Sequence, residues 1–189
     1  MVSGKQYEVL ASLPVYGPMY VPVSYDGNPF YSEGFAVRFH KLDGSDWVAN
    51  FETGCTELKQ VIELENTHNL LVIAGGMCYI VNPNETQPVS VFGSSYKNVF
   101  KANNNRFVLT DTTDLTIVEA DGIHWQSERI SFDGLKDVKV DNNLVTGVAY
   151  YPVYDSNEWV PFFYDIDTKT LIGGSFNKKS DKKSWWKLW

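Results

Sequence analysis

Two adjacent glycines inside an otherwise apolar stretch constrain this chain more than any other feature. Over residues 69–83, two apolar runs flank Gly75 and Gly76, and Asn82-Pro83 closes the second. β-Branched and aromatic side chains dominate both runs, as strands prefer. The Gly-Gly pair supplies the positive φ angles of a two-residue hairpin turn. The stretch therefore reads as a tight β-hairpin, and related units recur downstream.

The second copy runs from Arg106 through Thr110, turns at residues 111–114 and returns over residues 115–119. The third covers residues 144–150, a longer loop containing Pro152, and residues 159–165. From Leu71 to Phe107 is 36 residues and from Phe107 to Val145 is 38, and an Asn (Asn69, Asn105, Asn143) precedes the copies. Upstream, Phe35, Val37 and Phe39 alternate with Ala36, Arg38 and His40; after the turn at residues 43–46, Trp47, Ala49 and Phe51 continue the alternation. That period of two marks a hairpin with one buried face. Counting it gives four units, each with short flanking strands such as residues 88–93 and 96–100. The expectation is an all-β fold of antiparallel sheets in about four repeats, arranged as a small propeller or a partly closed barrel. A β-sandwich is the alternative.

Two stretches fit less simply. Residues 7–25 are rich in Tyr and Val but interrupted by Pro14, Pro18 and Pro22, so they read as edge or irregular strands. Residues 54–67 suit a helical face through Leu58, Val61, Ile62 and Leu64, or a strand over residues 58–64; the reading leans to strand because every neighbour is β.

A chain of 189 residues with eleven Tyr, eleven Phe and six Trp is too aromatic for a disordered polymer and long enough for a sizeable core. No apolar run reaches the length of a membrane-spanning helix. The opening residues carry no charged-then-apolar leader, and Cys55 and Cys78 are the only cysteines, so a cytoplasmic protein without disulfides is expected. The sequon at Asn84 is then a chance match.

The net charge of −7 conceals an asymmetry: residues 178–189 hold five Lys and one Asp, leaving 11 basic and 22 acidic residues over 1–177. The chain is accordingly read as one domain, 1–177, followed by a basic Trp-rich tail, 178–189. An acidic body argues against nucleic-acid binding by that body and suits a basic protein partner.

Four phrases resemble a family of bacterial proteins without an assigned activity: residues 30–35, 46–51, 69–76 and 128–134. The likeness covers about residues 12–176, with Phe132 standing where the family phrase has Trp. It implies a bacterial, cytoplasmic origin and supplies no catalytic residues.

Catalytic motifs are missing from the sequence. The three His (His40, His68, His124) and two Cys lack zinc spacing, and Cys55 with His68 is a pairing by residue type only. The Asp165-Ile166-Asp167 run lacks the later ligands and glycine of a calcium loop and reads as a hairpin turn. No cofactor and no metal are expected. The most polar-aromatic cluster of the body is residues 124–129; on one strand His124, Gln126 and Glu128 would share a face, and Trp125, Ser127 and Arg129 the other. His124, Trp125, Glu128, Arg129 and nearby Asp133 are the candidate contacts of the body, Trp125 and Arg129 as interface anchors. Trp185, Trp186 and Trp189 are those of the tail, which is expected to dock on an acidic body, its own or a second copy's, rather than on a membrane. The leading expectation is a non-enzymatic interaction protein, such as an inhibitor or immunity-type protein. The alternative is a sugar-binding or glycosidase-like domain using Glu128 and Asp133 as acid and base.

Overall fold

The structure, a computed structural model, describes residues 5–16, 19–65, 67–153 and 156–176. The tail, with Trp185, Trp186 and Trp189, lies outside the described residues. The described residues form sixteen strands and one 3₁₀ turn at Asn103–Asn105, with no α-helix among them. The strands make four sheets of four.

The first sheet holds β1 (Tyr7–Val9), β2 (Val21–Val23), β3 (Phe35–His40) and β4 (Asp46–Phe51), in the order β1-β3-β4-β2. The Pro-rich opening thus supplies both edges, as its missing backbone donors require. The expected four antiparallel sheets are present, with one addition in the first: its edge strand β2 runs parallel to β4, Pro22 beside Asn50. Because β1 and β2 occupy opposite edges, no tight turn can join them.

The second sheet is a simple meander of β5 (Lys59–Glu63), β6 (Leu70–Ala74), β7 (Met77–Val81) and β8 (Ser90–Phe92). The ambiguous stretch is therefore strand at β5, where antiparallel pairing with β6 decides between the two periodicities. The third sheet takes β9 (Asn98–Lys101), β10 (Phe107–Thr110), β11 (Leu115–Val118) and β12 (His124–Gln126), again in consecutive order. The fourth holds β13 (Leu135–Asp141), β14 (Leu144–Val153), β15 (Ser156–Asp165) and β16 (Thr170–Gly173). The central hairpins start at Leu70, Phe107 and Leu144, an even spacing of 37 residues.

In the third copy the expected long loop at Pro152 is instead strand. Pro152 pairs with Asn157 near the tip of the β14–β15 hairpin. It tolerates the missing N–H because β13 stops pairing at Ala149, so no strand on that side asks for a donor.

By its contacts the chain divides into two compact units, Met1–Leu109 with Ile117–Trp125, and Thr110–Thr116 with Gln126–Trp189. In the first unit, β6 and β7 are buried throughout because they have a core on each face. On one face Leu70, Val72, Tyr79 and Val81 pack with Val37, Phe39, Ala49 and Phe51 of the first sheet. On the other, Leu71, Ile73, Cys78 and Ile80 pack with Phe107, Leu109 and Val118. This explains why the organising hairpin is continuously apolar instead of alternating. The Trp47 indole N–H donates to the Pro83 carbonyl at 2.8 Å, and the Tyr79 hydroxyl to the Glu52 carbonyl at 2.8 Å.

The Gly-Gly turn is itself clasped. The amides of Gly54 and Thr56 donate to Ala74 and Gly75 carbonyls, the Gly76 amide to Leu58, and the Tyr96 amide to Gly76. In the second unit Val145, Ala149, Phe162 and Tyr164 form the buried face of the fourth sheet. The Ser131 hydroxyl donates to the Gly134 carbonyl and the Ser175 hydroxyl to the Tyr150 carbonyl, while the Ser175 and Phe176 amides donate to the Ile130 carbonyl, tying residues 127–134 to the end of β16.

Candidate functional site

The polar-aromatic segment does not form one strand. β12 ends at Gln126, where Ser127 interrupts the ladder: its hydroxyl oxygen accepts the Leu115 amide, and its own amide donates to the Leu115 carbonyl. Beyond it, the Ile130 and Ser131 amides both donate to the Thr113 carbonyl, a geometry no regular strand has. The expected sharing of faces by His124 with Glu128, and Trp125 with Arg129, is therefore not realised. His124 and Trp125 belong to the first unit, and Glu128, Arg129 and Asp133 to the second.

In the first unit the His124 ring stacks nearly flat on Phe92, centroids 3.7 Å apart. Burial lowers its pKa, against a hydrogen bond to the Gly122 backbone that raises it. The Trp125 indole donates to Glu119 Oε1 at 2.8 Å. Between Glu119 and His124 the chain makes a tight turn, with the Gly122 amide on the Glu119 carbonyl and the Ile123 amide on Asp121 Oδ1.

That turn walls a cleft of about 310 Å³ lined by Ile80, Val89, Ser90, Asp121, Ile123 and His124, on the side of β8 that carries Phe92. A second cleft, about 210 Å³, is lined by Val23, Tyr25, Gln87, Pro88 and Val91, on the side of β8 that meets the first sheet. A third, about 450 Å³, adjoins it through Tyr25 and holds Glu52, Met77, Gly93 and Ser94. Phe92, Asp121, Ile123 and Val89 were not singled out in the sequence; a three-residue strand between Pro88 and Gly93 is the one local signal of an edge there.

In the second unit Arg129 is fixed by its own loop. Its Nε donates to the Ser131 carbonyl and its Nη2 to the Phe132 carbonyl, and the guanidinium sits 4.5 Å from the Phe176 ring centroid. Phe132 packs edge-on against Phe176 and tilted against Tyr151. Glu128 and Asp133 are exposed. Asp114 has its pKa raised by burial and by Asp111, opposed by the Thr113 hydroxyl and by Arg129. Trp159 has the Lys136 ammonium 3.9 Å from its ring centroid and Tyr150 packed at 5.5 Å.

The remaining carboxylates of interest shape turns. Asp165 Oδ1 accepts the Asp167 and Thr168 amides, Asp111 Oδ1 those of Thr113 and Asp114, and Asp43 Oδ1 that of Ser45. Asn84, in the sequon, is engaged too: its Oδ1 accepts the Leu42 amide and its Nδ2 donates to Asn82. Among the described residues no group of three or more His, Cys, Asp or Glu is placed to hold a metal ion. No helix among them is long and apolar enough to cross a membrane. No protein-family model matches the chain, and no curated protein matches it. The likeness carried by residues 30–35 and the three companion phrases gains nothing from those comparisons.

Proposed function

We propose that this chain is a non-enzymatic interaction module whose acidic body and loops engage a basic protein, in the manner of an inhibitor or immunity-type protein. The observation that carries the reading is the exposure of the loops flanking β2: Tyr16, Met19 and Tyr31 are 91%, 89% and 88% exposed. Tyr and Met are residue types enriched where proteins meet. The charge balance over 1–177 supports the same partner, since an acidic surface raises the encounter rate with a basic one.

The test uses the whole chain and a version ending at Asn177 as baits in a lysate of the native host, followed by mass spectrometry. One protein should be recovered stoichiometrically by both baits, and lost at high salt or when exposed Asp and Glu are replaced by Lys. Recovery by the whole chain only would move the function to residues 178–189. An empty result from both overturns the reading and favours the sugar-binding alternative, with Glu128 and Asp133 as its carboxylates and a glycan array as its assay.

A further inference from the structure

The fourth sheet turns an apolar face to water. The β14–β15–β16 registers set Thr146, Phe163 and Ile172 in one cross-strand row, with Val148 beside Pro161 in the next and Leu144 at the hairpin end. Cross-strand partners share a face and successive residues take opposite faces. This set therefore lies on the other side of the sheet from the buried Val145, Ala149, Phe162 and Tyr164. Leu144, Phe163 and Ile172 are 38%, 45% and 66% exposed, and Pro161 is exposed beside them. The wet face of an antiparallel sheet is ordinarily polar, and a contiguous apolar patch there marks a surface that something covers.

The chain itself carries a matching segment. Residues 177–189 follow Phe176, which stands three residues beyond the end of β16, and residues 185–189 hold Trp185, Trp186, Leu188 and Trp189. The nine residues from Phe176 to Trp185 reach up to about 30 Å, against about 14 Å across four strands. Asp141 and Asp165 flank Leu144 in the end row, which gives the lysines of the segment carboxylates to approach. Lys139 sits beside Thr146, and the Lys136 ammonium already covers Trp159, so the β13 side is cationic and steers a basic segment over β14–β16. A covalently attached segment acts at an effective concentration of about 1 mM, which a second copy matches only when the protein itself is that concentrated.

We infer that residues 185–189 dock on the outer face of the fourth sheet of their own chain, with the tryptophan rings on Phe163 and Ile172. Burial of apolar surface drives the contact, and the charges on either side decide which strands it covers. The contact lies within one chain, so it stands or falls separately from the interaction reading above.

The test compares three full-length proteins: the unmodified chain, the double variant Phe163→Thr with Ile172→Thr, and the triple variant Trp185→Ser, Trp186→Ser, Trp189→Ser. Threonine keeps strand propensity at the two exposed positions, and the triple variant leaves the sheet unaltered. Limited trypsin digestion read by mass spectrometry follows cleavage after Lys182, Lys183 and Lys187, which tracks the undocked population. Cleavage should be about tenfold slower in the unmodified chain than in either variant, the ratio set by a contact with a Kd of about 0.1 mM at an effective concentration of about 1 mM. In methyl NMR the Leu144 and Ile172 resonances should lie upfield in the unmodified chain, from the tryptophan ring currents, and move downfield in the triple variant. If the double variant loses its fold by circular dichroism, the triple variant and the methyl shifts decide alone. Equal cleavage of the unmodified chain and the triple variant, or methyl shifts indifferent to the three tryptophans, would overturn the inference. So would a dimer in sedimentation that the double variant abolishes and the triple variant keeps, because a second copy is then the occupant.

Discussion

Replacing Gly76 by Ala should cost several times more stability than replacing Gly44 by Ala, although both glycines have nearly the same positive φ. Their φ angles are +83° and +85°, so an alanine at either is strained alike, by about 1 kcal/mol. The entropy that alanine removes from the unfolded chain is also common to both and cancels in the comparison. The surroundings differ. A Cβ at Gly44 meets nothing within 4 Å, whereas one at Gly76 falls 2.5 Å from Thr56 Oγ1 and 2.6 Å from the Tyr96 carbonyl oxygen. The second contact is with backbone, which cannot rotate away, so the loop over residues 94–96 must shift. Overpacking of that kind costs roughly 1–3 kcal/mol, and the Tyr96-to-Gly76 hydrogen bond it breaks about 1 kcal/mol more. The expected losses are then about 1 kcal/mol for Gly44→Ala and roughly 3–5 kcal/mol for Gly76→Ala. Urea unfolding followed by tryptophan fluorescence, with the three proteins side by side, measures the difference. Equal midpoints would refute the argument that the clasp around the central turn, and not its dihedral angles alone, stabilises the hairpin.

Three further outcomes can be checked. Asn50 is fully buried, accepting the Gly34 amide at 2.8 Å and donating to the Ser32 carbonyl at 3.0 Å, so Asn50→Ala should cost about 2–4 kcal/mol in urea unfolding. Loss of less than about 1 kcal/mol would show that water replaces both bonds. The Tyr164 phenol is pushed up to about 12 by burial, then by Glu128 and Asp165. The unfolded phenol ionises near 10, so stability is intact below that pH and falls as pH rises from about 10 towards 12; Tyr164→Phe should reduce the slope in urea midpoints across that window. His124, with its pKa lowered chiefly by burial, should titrate in NMR below the 6.5 of a free histidine, and its contribution to stability should be lost as pH falls below that value. A titration at or above 6.5 would show that the ring is open to water, contrary to its stack on Phe92.

Much of the fold is written locally. The β character, the tight turn at Gly75 and Gly76, the alternation over Phe35, Val37 and Phe39, and the edge character forced by Pro22 follow from period, propensity and missing donors. These are properties of neighbouring residues, and the sequence alone determines them. The repeat is legible for the same reason: each unit carries its own hairpin at an even spacing. The direction of β2 could not be read, because a three-residue strand pairs either way and only the chain path over the first sheet decides. Pro152 looked like a loop because its tolerance depends on where β13 stops, which lies in another part of the chain. The candidate cluster failed as a unit for the same kind of reason. Ser127 ends the strand by bonding to Leu115, twelve residues back, and sends Arg129 to Phe176 instead of leaving it on a strand face with Trp125. The two clefts beside β8 are also tertiary products, assembled from residues 22–25, 80, 87–91 and 121–124. Short-range order sets what each segment becomes; which backbone groups remain unpaired is set only when distant segments meet.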